Sequence, residues 1–568
     1  MVKMNKRKKN DLLTLAAVLG LVLSINILSS FVFFKWDWTE ENKYTLTEST
    51  RQIVDSIGQP LYVRVLLEGQ FPAGFKRLQS STREFLRGLQ KRNPNIEVRF
   101  ENPSAGSNEE INQNRKTLSD RGIVPVNFRL KEGDEVVERL IYPYAIVAYG
   151  EQETVVNLLE EQTPGTNEEV VLNNSISLLE YKFANAFHKL RSKIKPIIAF
   201  TQGHGEISPE DAGDFRSALS SFYQFGSFTL DSATFIPPTI KLIIVAQPLE
   251  PFTEKEKFIL DQFVMDGGSI LWLVNRLDVH LDSLHGRKSY IPSEVDPNLD
   301  DLFFNYGFRV NPDLVLDLEC SRIPLRIGQA GGAPQLDLFP WYYHPVVQPN
   351  RNHPITKNMG RVNLMFVNSI DSLKTKYDVE KTALLSSSDY ARKQFVPMRL
   401  NFEILRYEPE VDKFNSPNIP MAYLYEGTFS SLYENRMTEE MLTRMEELNL
   451  KFKEKSSDNT RMAVVSYPNI IINEQGETRQ DFRPMGFNPY ERTVYDNKQF
   501  MSNLVEYLIN GSTVLDARSK EVKLRMLDRV RAQQERAYWQ ALNIGAPLFI
   551  LMVIGMIFYF WRQRTYVK

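Results

Sequence analysis

Two apolar stretches, one at each end of the chain, constrain what the five hundred or so residues between them can be. Residues 12–34 carry no charge. At 1.5 Å per residue, such a helix is roughly 34 Å long, enough to cross a hydrocarbon core of about 30 Å. The second stretch is 541–561, and 548–561 is unbroken apolar sequence. Lys3, Lys6, Arg7, Lys8 and Lys9 precede the first, and Arg562, Arg564 and Lys568 follow the second. Because excess Lys and Arg stay on the cytoplasmic side, both termini are expected inside and 36–540 across the membrane. A cleaved signal peptide is the competing reading of the first stretch. Its apolar run, however, continues through Phe31, Val32, Phe33 and Phe34 into Trp36 without a small-x-small site, which favours an anchor.

Length allows roughly two to four domains with their own cores. The net charge of −2 offers no nucleic-acid surface, and the single cysteine, Cys320, excludes an internal disulfide, a CxxC pair and a multi-cysteine metal site.

The spacing of apolar residues predicts an α/β chain. A helix starts at Thr47, a strand covers 61–67, a helix 75–91 and a strand 96–100; further strands at 124–131, 135–149 and 152–158 complete a small α/β domain of thioredoxin-like outline. One long helix over 168–191 leads to a cleaner pattern. Apolar strands at 196–200, 228–232, 240–246 and 269–274 alternate with helices at 209–223 and 253–265, which means a parallel, doubly wound sheet. The segment 300–430 reads as Pro-rich and irregular, 438–455 as a charged, solvated helix, and 462–466 as one more strand of the sheet. Helices follow at 500–509 and 519–538.

The most distinctive motif is Thr201-Gln202-Gly203-His204-Gly205-Glu206. It follows the first parallel strand, and ligands of such sheets sit beyond the carboxyl ends of strands. Gly203 and Gly205 permit a sharp turn, and His204 with Glu206 forms either a proton-transfer pair or a turn in which Glu206 and Ser208 cap the next helix. Gln247 and Asn275, beyond later strands, either complete a polar pocket or simply end those strands. The His-x-Glu of zinc deaminases is rejected because its cysteine pair is missing. His344 and His353 read as loop packing and Cys320 as an inert thiol. No phosphate-binding loop, no GxSxG elbow and no HExxH is present in the sequence. No catalytic residue, metal or cofactor is expected.

Several stretches together resemble the gliding-motility-associated ABC transporter auxiliary, or substrate-binding, family, GldG. They are Tyr44-Thr-Leu46-Thr-Glu48, Thr201 to Glu206, Lys241 to Val245, Asp266-Gly267-Gly268 and Ala517 to Arg525. The resemblance implies a non-enzymatic component of a bacterial inner (cytoplasmic) membrane, with its 36–540 ectodomain periplasmic, working with an ABC permease and a separate ATPase and in contact with other gliding or secretion components. It also implies a flavodoxin-like central region. The expected plan is a cytoplasmic tail (1–11), a transmembrane helix (12–34), a small α/β domain (40–160), a linker helix (161–195), a doubly wound domain (196–515) with irregular insertions (about 300–460), a stalk helix (516–540), a second transmembrane helix (541–561) and a cytoplasmic tail (562–568). Gly203, His204, Gly205, Glu206, Gln247 and Asn275 are the candidate ligand- or partner-binding residues. The alternative is a non-catalytic scaffold or tether.

Overall fold

The computed structural model describes residues 15–21, 24, 45–132, 135–160, 168–191, 195–220, 222–284, 287, 289–330, 333–357, 359–447, 450–473, 483–511 and 535–566. It is a mixed α/β structure with several sheets. Residues 15–21 are helical. The rest of the expected first span lies outside the described residues, apart from Ser24. So do 512–534, which hold most of the expected stalk.

The first sheet begins at Leu61–Val65, where burial alternates strictly because Leu61, Val63 and Val65 face one core and Tyr62 and Arg64 face out. The helix Ala73–Arg92 carries the chain to a parallel partner, Ile96–Phe100, with Leu61 opposite Ile96. Tyr144–Tyr149 then pairs antiparallel on the other side and Gln152–Asn157 closes the edge. A separate hairpin joins Val126–Glu132 to Glu135–Ile141.

The segment predicted as one linker helix is two helices, Glu168–Ser177 and Leu179–Arg191. Leu172, Phe183, Phe187 and Leu190 from this pair share a core with Leu61, Val63, Leu78 and Leu86. The segment therefore completes the small sheet's core, which explains why its apolar residues outnumber those a solvated linker would carry.

The second sheet has seven strands. Gln224–Thr229, Ile197–Gln202, Ile240–Ala246, Ser269–Leu273 and Thr460–Val465 lie side by side in that order, all parallel. All five residues of Ser269–Leu273 are buried, as expected where both faces are covered. Leu242 and Ile244 face one core, and Ile243, Val245 and Trp272 the other.

Two strands of this sheet have no counterpart in the sequence-based expectation. Pro420–Gly427 and Val379–Ser386 extend the sheet antiparallel beyond Thr460–Val465. They lie in the stretch read as irregular, which also contains a long hairpin, Cys320–Ala330 with Ala333–Val347. The expectation of an all-parallel sheet is thus corrected to a mixed one, parallel from Thr460–Val465 to the edge strand Gln224–Thr229 and antiparallel at the other edge. The helix expected at 209–223 is only Gly213–Ser220, and the charged helix only Glu439–Glu447. The chain after the latter is docked rather than solvated. Lys453 exchanges two hydrogen bonds with the Gln262 side chain, and the Phe452 ring stacks on Phe258 at 6.3 Å.

The helix Arg536–Tyr566 belongs to a second unit of the chain. The stretch 536–564 is long enough to cross a membrane, and its most apolar 18 residues have a mean hydropathy of 2.3 and are unburied. Pro547 lies inside it, a residue tolerated in membrane helices because neighbouring groups re-satisfy the freed carbonyl.

Candidate functional site

Three of the parallel strands of the large sheet carry the candidate residues just beyond their carboxyl ends. Gly203–Glu206 follows Ile197–Gln202, Gln247 follows Ile240–Ala246, and Asn275 follows Ser269–Leu273. The turn needs its glycines, since Gly203 and Gly205 have φ of +128° and +77°. A side chain at Gly205 would also press on Leu249, whose Cβ would be 3.3 Å away.

His204 is buried between two carboxylates. Its Nδ1 is 3.1 Å from Glu206 Oε1 and its Nε2 is 3.2 Å from Glu256 Oε2. Its backbone N–H donates to Glu206 Oε2 at 2.6 Å, and its carbonyl accepts from the N–H of Leu249 and Glu250. The ring stacks on Phe252 with centroids 3.8 Å apart. Glu256 is already the capping-box residue of the helix Glu254–Met265, accepting from both the N–H and the hydroxyl of Thr253.

Burial alone disfavours the His204 imidazolium, but hydrogen bonds and charges from Glu206 and Glu256 outweigh it and raise the pKa above 6.5. Burial likewise opposes the Glu206 carboxylate, and the His204 ring and N–H overcome it, holding the group below its usual range. Both ring nitrogens and both carboxylates are therefore engaged in an ionic clasp. Glu206 does not cap the following helix; the N–H of Glu210 finds the Ser208 hydroxyl instead.

Gln247 and Asn275 do come together. They line a cavity of about 60 Å³ with His280, Phe366, Tyr467 and Asn469, and the Gly203–Glu206 turn is not part of its lining. The side-chain oxygens of Asn275 and Asn469 are buried without a hydrogen-bond partner among the described residues. This cavity has room for a few waters, well below the roughly 300 Å³ of an ordinary small-molecule pocket. It suits water or a small hydrogen-bond donor.

The sequence matches the family described as "ABC-type uncharacterized transport system" over residues 195–504, more than half of the chain. The chain belongs to this family. Residues 40–148 match a second family, a domain of unknown function. An uncharacterized protein of Borreliella burgdorferi is 22% identical over 446 residues, covering 76% of this chain and 80% of the relative. Among solved structures, the mmIFT52 N-terminal domain aligns at 16% identity with a TM-score of 0.30, over 56% of this chain and 98% of that one. A thua-like protein from Parabacteroides merdae aligns at 9% identity with a TM-score of 0.26, over 56% and 91%. Scores this low do not establish a shared fold.

In this member of a transport-associated family, His344, His353 and Cys320 are in surroundings that hold them in their neutral forms. His344 is buried in the strand Ala333–Val347, and burial lowers its pKa to about 4. His353 is lowered to about 4 for the same reason, and its ring meets Tyr507 edge-on. Burial pushes the Cys320 thiol up to about 12, which leaves it without the thiolate a nucleophile needs. Among the described residues no cluster of three or more His, Cys, Asp or Glu is disposed to hold a metal.

Sequence reasoning missed Glu256. Its capping-box pattern, Thr253-Glu254-Lys255-Glu256, was legible as a helix start, but the second bond to His204 spans fifty residues and depends on the sheet order.

Proposed function

We propose that this chain is a membrane-anchored, extracytoplasmic auxiliary component of an ABC transport system, working with a permease and a separate ATPase at the inner membrane. The family match over 195–504 carries this reading, and the unburied apolar helix supports it. The gliding-motility (GldG) and substrate-binding assignments rest on the sequence resemblance alone. The thioredoxin-like outline of the small domain rests on the spacing of its strands and helices. The two-span plan, with both termini cytoplasmic, rests on the basic flanks and the hydrophobic lengths.

The strand-edge geometry favours a scaffold's use of the Gly203–Glu206 turn. A proton-transfer pair needs a nitrogen or carboxylate facing a substrate, and here each already faces a protein group. That geometry speaks against an acid–base role for His204 and Glu206. Gln247 and Asn275 remain the candidates for a small ligand or water.

Affinity purification of the tagged full-length chain in mild detergent should yield a permease and an ATPase, identified by mass spectrometry; recovery of neither overturns the transporter reading. Reporter fusions after Lys9, near Lys455 and after Lys568 should read in, out and in. A cytoplasmic signal near Lys455, which is exposed, overturns the topology.

A further inference from the structure

A larger cavity lies away from the strand edge, at the seam where the small sheet, the helix Leu179–Arg191 and the large sheet meet. Its volume is about 510 Å³, within the usual range of small-molecule pockets, roughly 300–1,000 Å³. We infer that this seam binds an organic anion, a carboxylate or phosphate group carried on an apolar body.

The charge of the walls points to an anion. Among the described residues, the lining holds Lys189, Arg191 and Lys195 and a single carboxylate, Glu153. Glu153 is already bridged to Arg121 at 3.3 Å. Lys189 is equally committed, since its ammonium is 3.2 Å from Glu506 and both side chains are less than a tenth exposed. That leaves Arg191 and Lys195, both exposed, as the charges the cavity presents. Lys195 is held in place by a 3.3 Å hydrogen bond to the Ser220 carbonyl. A guanidinium beside an ammonium matches a carboxylate or phosphate, the first through its planar fork and the second as a point charge.

The apolar walls supply the second half of the argument. Leu190, Phe222 and Tyr223 line the same space, and Tyr223 is buried, its hydroxyl accepting from the Asn510 amide. Phe222 is half-buried, with the Lys189 ammonium 3.8 Å from its ring centroid. Low-dielectric walls behind two cations focus the positive potential into the cavity and strengthen its pull on an anion.

Basic residues in a helix's last turn also complement the helix dipole. That accounts for Lys189 and Arg191 in the last turn of Leu179–Arg191, but it places neither Lys195, which lies beyond the helix, nor an open cavity against aromatic rings. The inference stands independently of the transporter reading.

The test is isothermal titration of the full-length chain in lipid nanodiscs with phenyl phosphate and, separately, inorganic phosphate, with empty discs subtracted. Phenyl phosphate should bind more tightly than inorganic phosphate. Arg191→Ala with Lys195→Ala should weaken phenyl phosphate at least tenfold, and Phe222→Ala should weaken phenyl phosphate but not inorganic phosphate. The double variant removes exposed side chains, and an unchanged urea midpoint confirms that it is folded. No heat above empty discs overturns the inference, as does binding indifferent to the double variant. Equal affinity for the two probes removes the apolar half of the claim and with it the proposed ligand class.

Discussion

At the carboxyl edge of the large sheet, His204 engages a carboxylate with each ring nitrogen, so that every ionisable group of the trio faces a partner. At the seam beside Leu179–Arg191, Glu153 and Lys189 are paired in the same manner, but Arg191 and Lys195 are in no ion pair among the described residues. Both places gather ionisable groups against aromatic rings, Phe252 in one and Phe222 in the other. The difference is closure. A network whose members all satisfy one another holds elements together, whereas one with unmatched charge beside open space can recruit a ligand.

The largest expected effect falls on the part of the seam that resembles the strand edge. Lys189 and Glu506 join the small sheet's helix to the helix Asn497–Asn510, and Tyr181 donates to Glu506 at 3.1 Å. Lys189→Ala leaves that carboxylate buried without its cation and should cost ~3–5 kcal/mol in urea denaturation. Replacing both groups, with Lys189→Met and Glu506→Leu, should recover most of it. A single variant as stable as the parent would mean the seam is looser than its burial implies.

Next comes the clasp. Glu206→Gln removes the charge that stabilises a buried imidazolium and turns an amide donor toward groups that already donate. The expected cost is about 2 kcal/mol, as for hydrogen bonds to charged groups, with transport function falling only as folded protein is lost. Loss of function at unchanged stability would show that the strand edge is a working site after all.

How far these two places were legible from sequence differs for a physical reason. The parallel strands were readable because Ile240–Ala246 and Ser269–Leu273 are short apolar runs bounded by turn residues. Pro420–Gly427 was not, since its leading proline and its place in a Pro-rich segment mask a strand whose Tyr423 and Tyr425 gain burial only by packing on the sheet. The turn Gly203–Glu206 was visible from its glycines, but its partner Glu256 was not, because local sequence specifies a cap and only tertiary packing specifies the ion pair. The seam was invisible. His188, Lys189 and Arg191 look like any helix end until the strand Gln152–Asn157 and Phe222 are brought against them.

Acidity separates the clasp from the other buried histidines. His204 binds its proton more tightly folded than unfolded, so its contribution is complete below pH 6.5 and is lost as pH rises through its elevated folded value. Glu206 and Glu256 are held below 4.5, so theirs is present above that value and is lost as pH falls through their folded values. His344 runs the other way, since its folded value near 4 means stability is lost as pH falls from 6.5 toward 4. Urea midpoints of the parent and His204→Gln, measured from pH 6 to pH 9, should therefore converge as pH rises. For His344→Gln the gap should instead narrow as pH falls from 6.5 toward 4. A His204→Gln gap that is flat with pH would mean that the ring is neutral and the clasp is only a set of hydrogen bonds.

The smallest effect tests whether the seam's positive potential depends on the pairing of its one lining carboxylate. Arg121 and Glu153 are both partly exposed, and a pair of this kind contributes about 0–1 kcal/mol. Arg121→Ala should therefore leave the urea midpoint nearly unchanged. It should, however, release Glu153 as an uncompensated negative charge in the cavity wall and remove a nearby cation, so phenyl phosphate should bind about two- to threefold more weakly at low salt. Near 1 M salt, where the screening length is roughly 3 Å, that difference should vanish. Adding Glu153→Gln to Arg121→Ala should restore part of the affinity, because the amide brings no charge. If Arg121→Ala changed neither quantity, the anion would be held by Arg191 and Lys195 through direct contact alone, and the distinction between a closed clasp and an open field would shrink to which side chains touch the ligand.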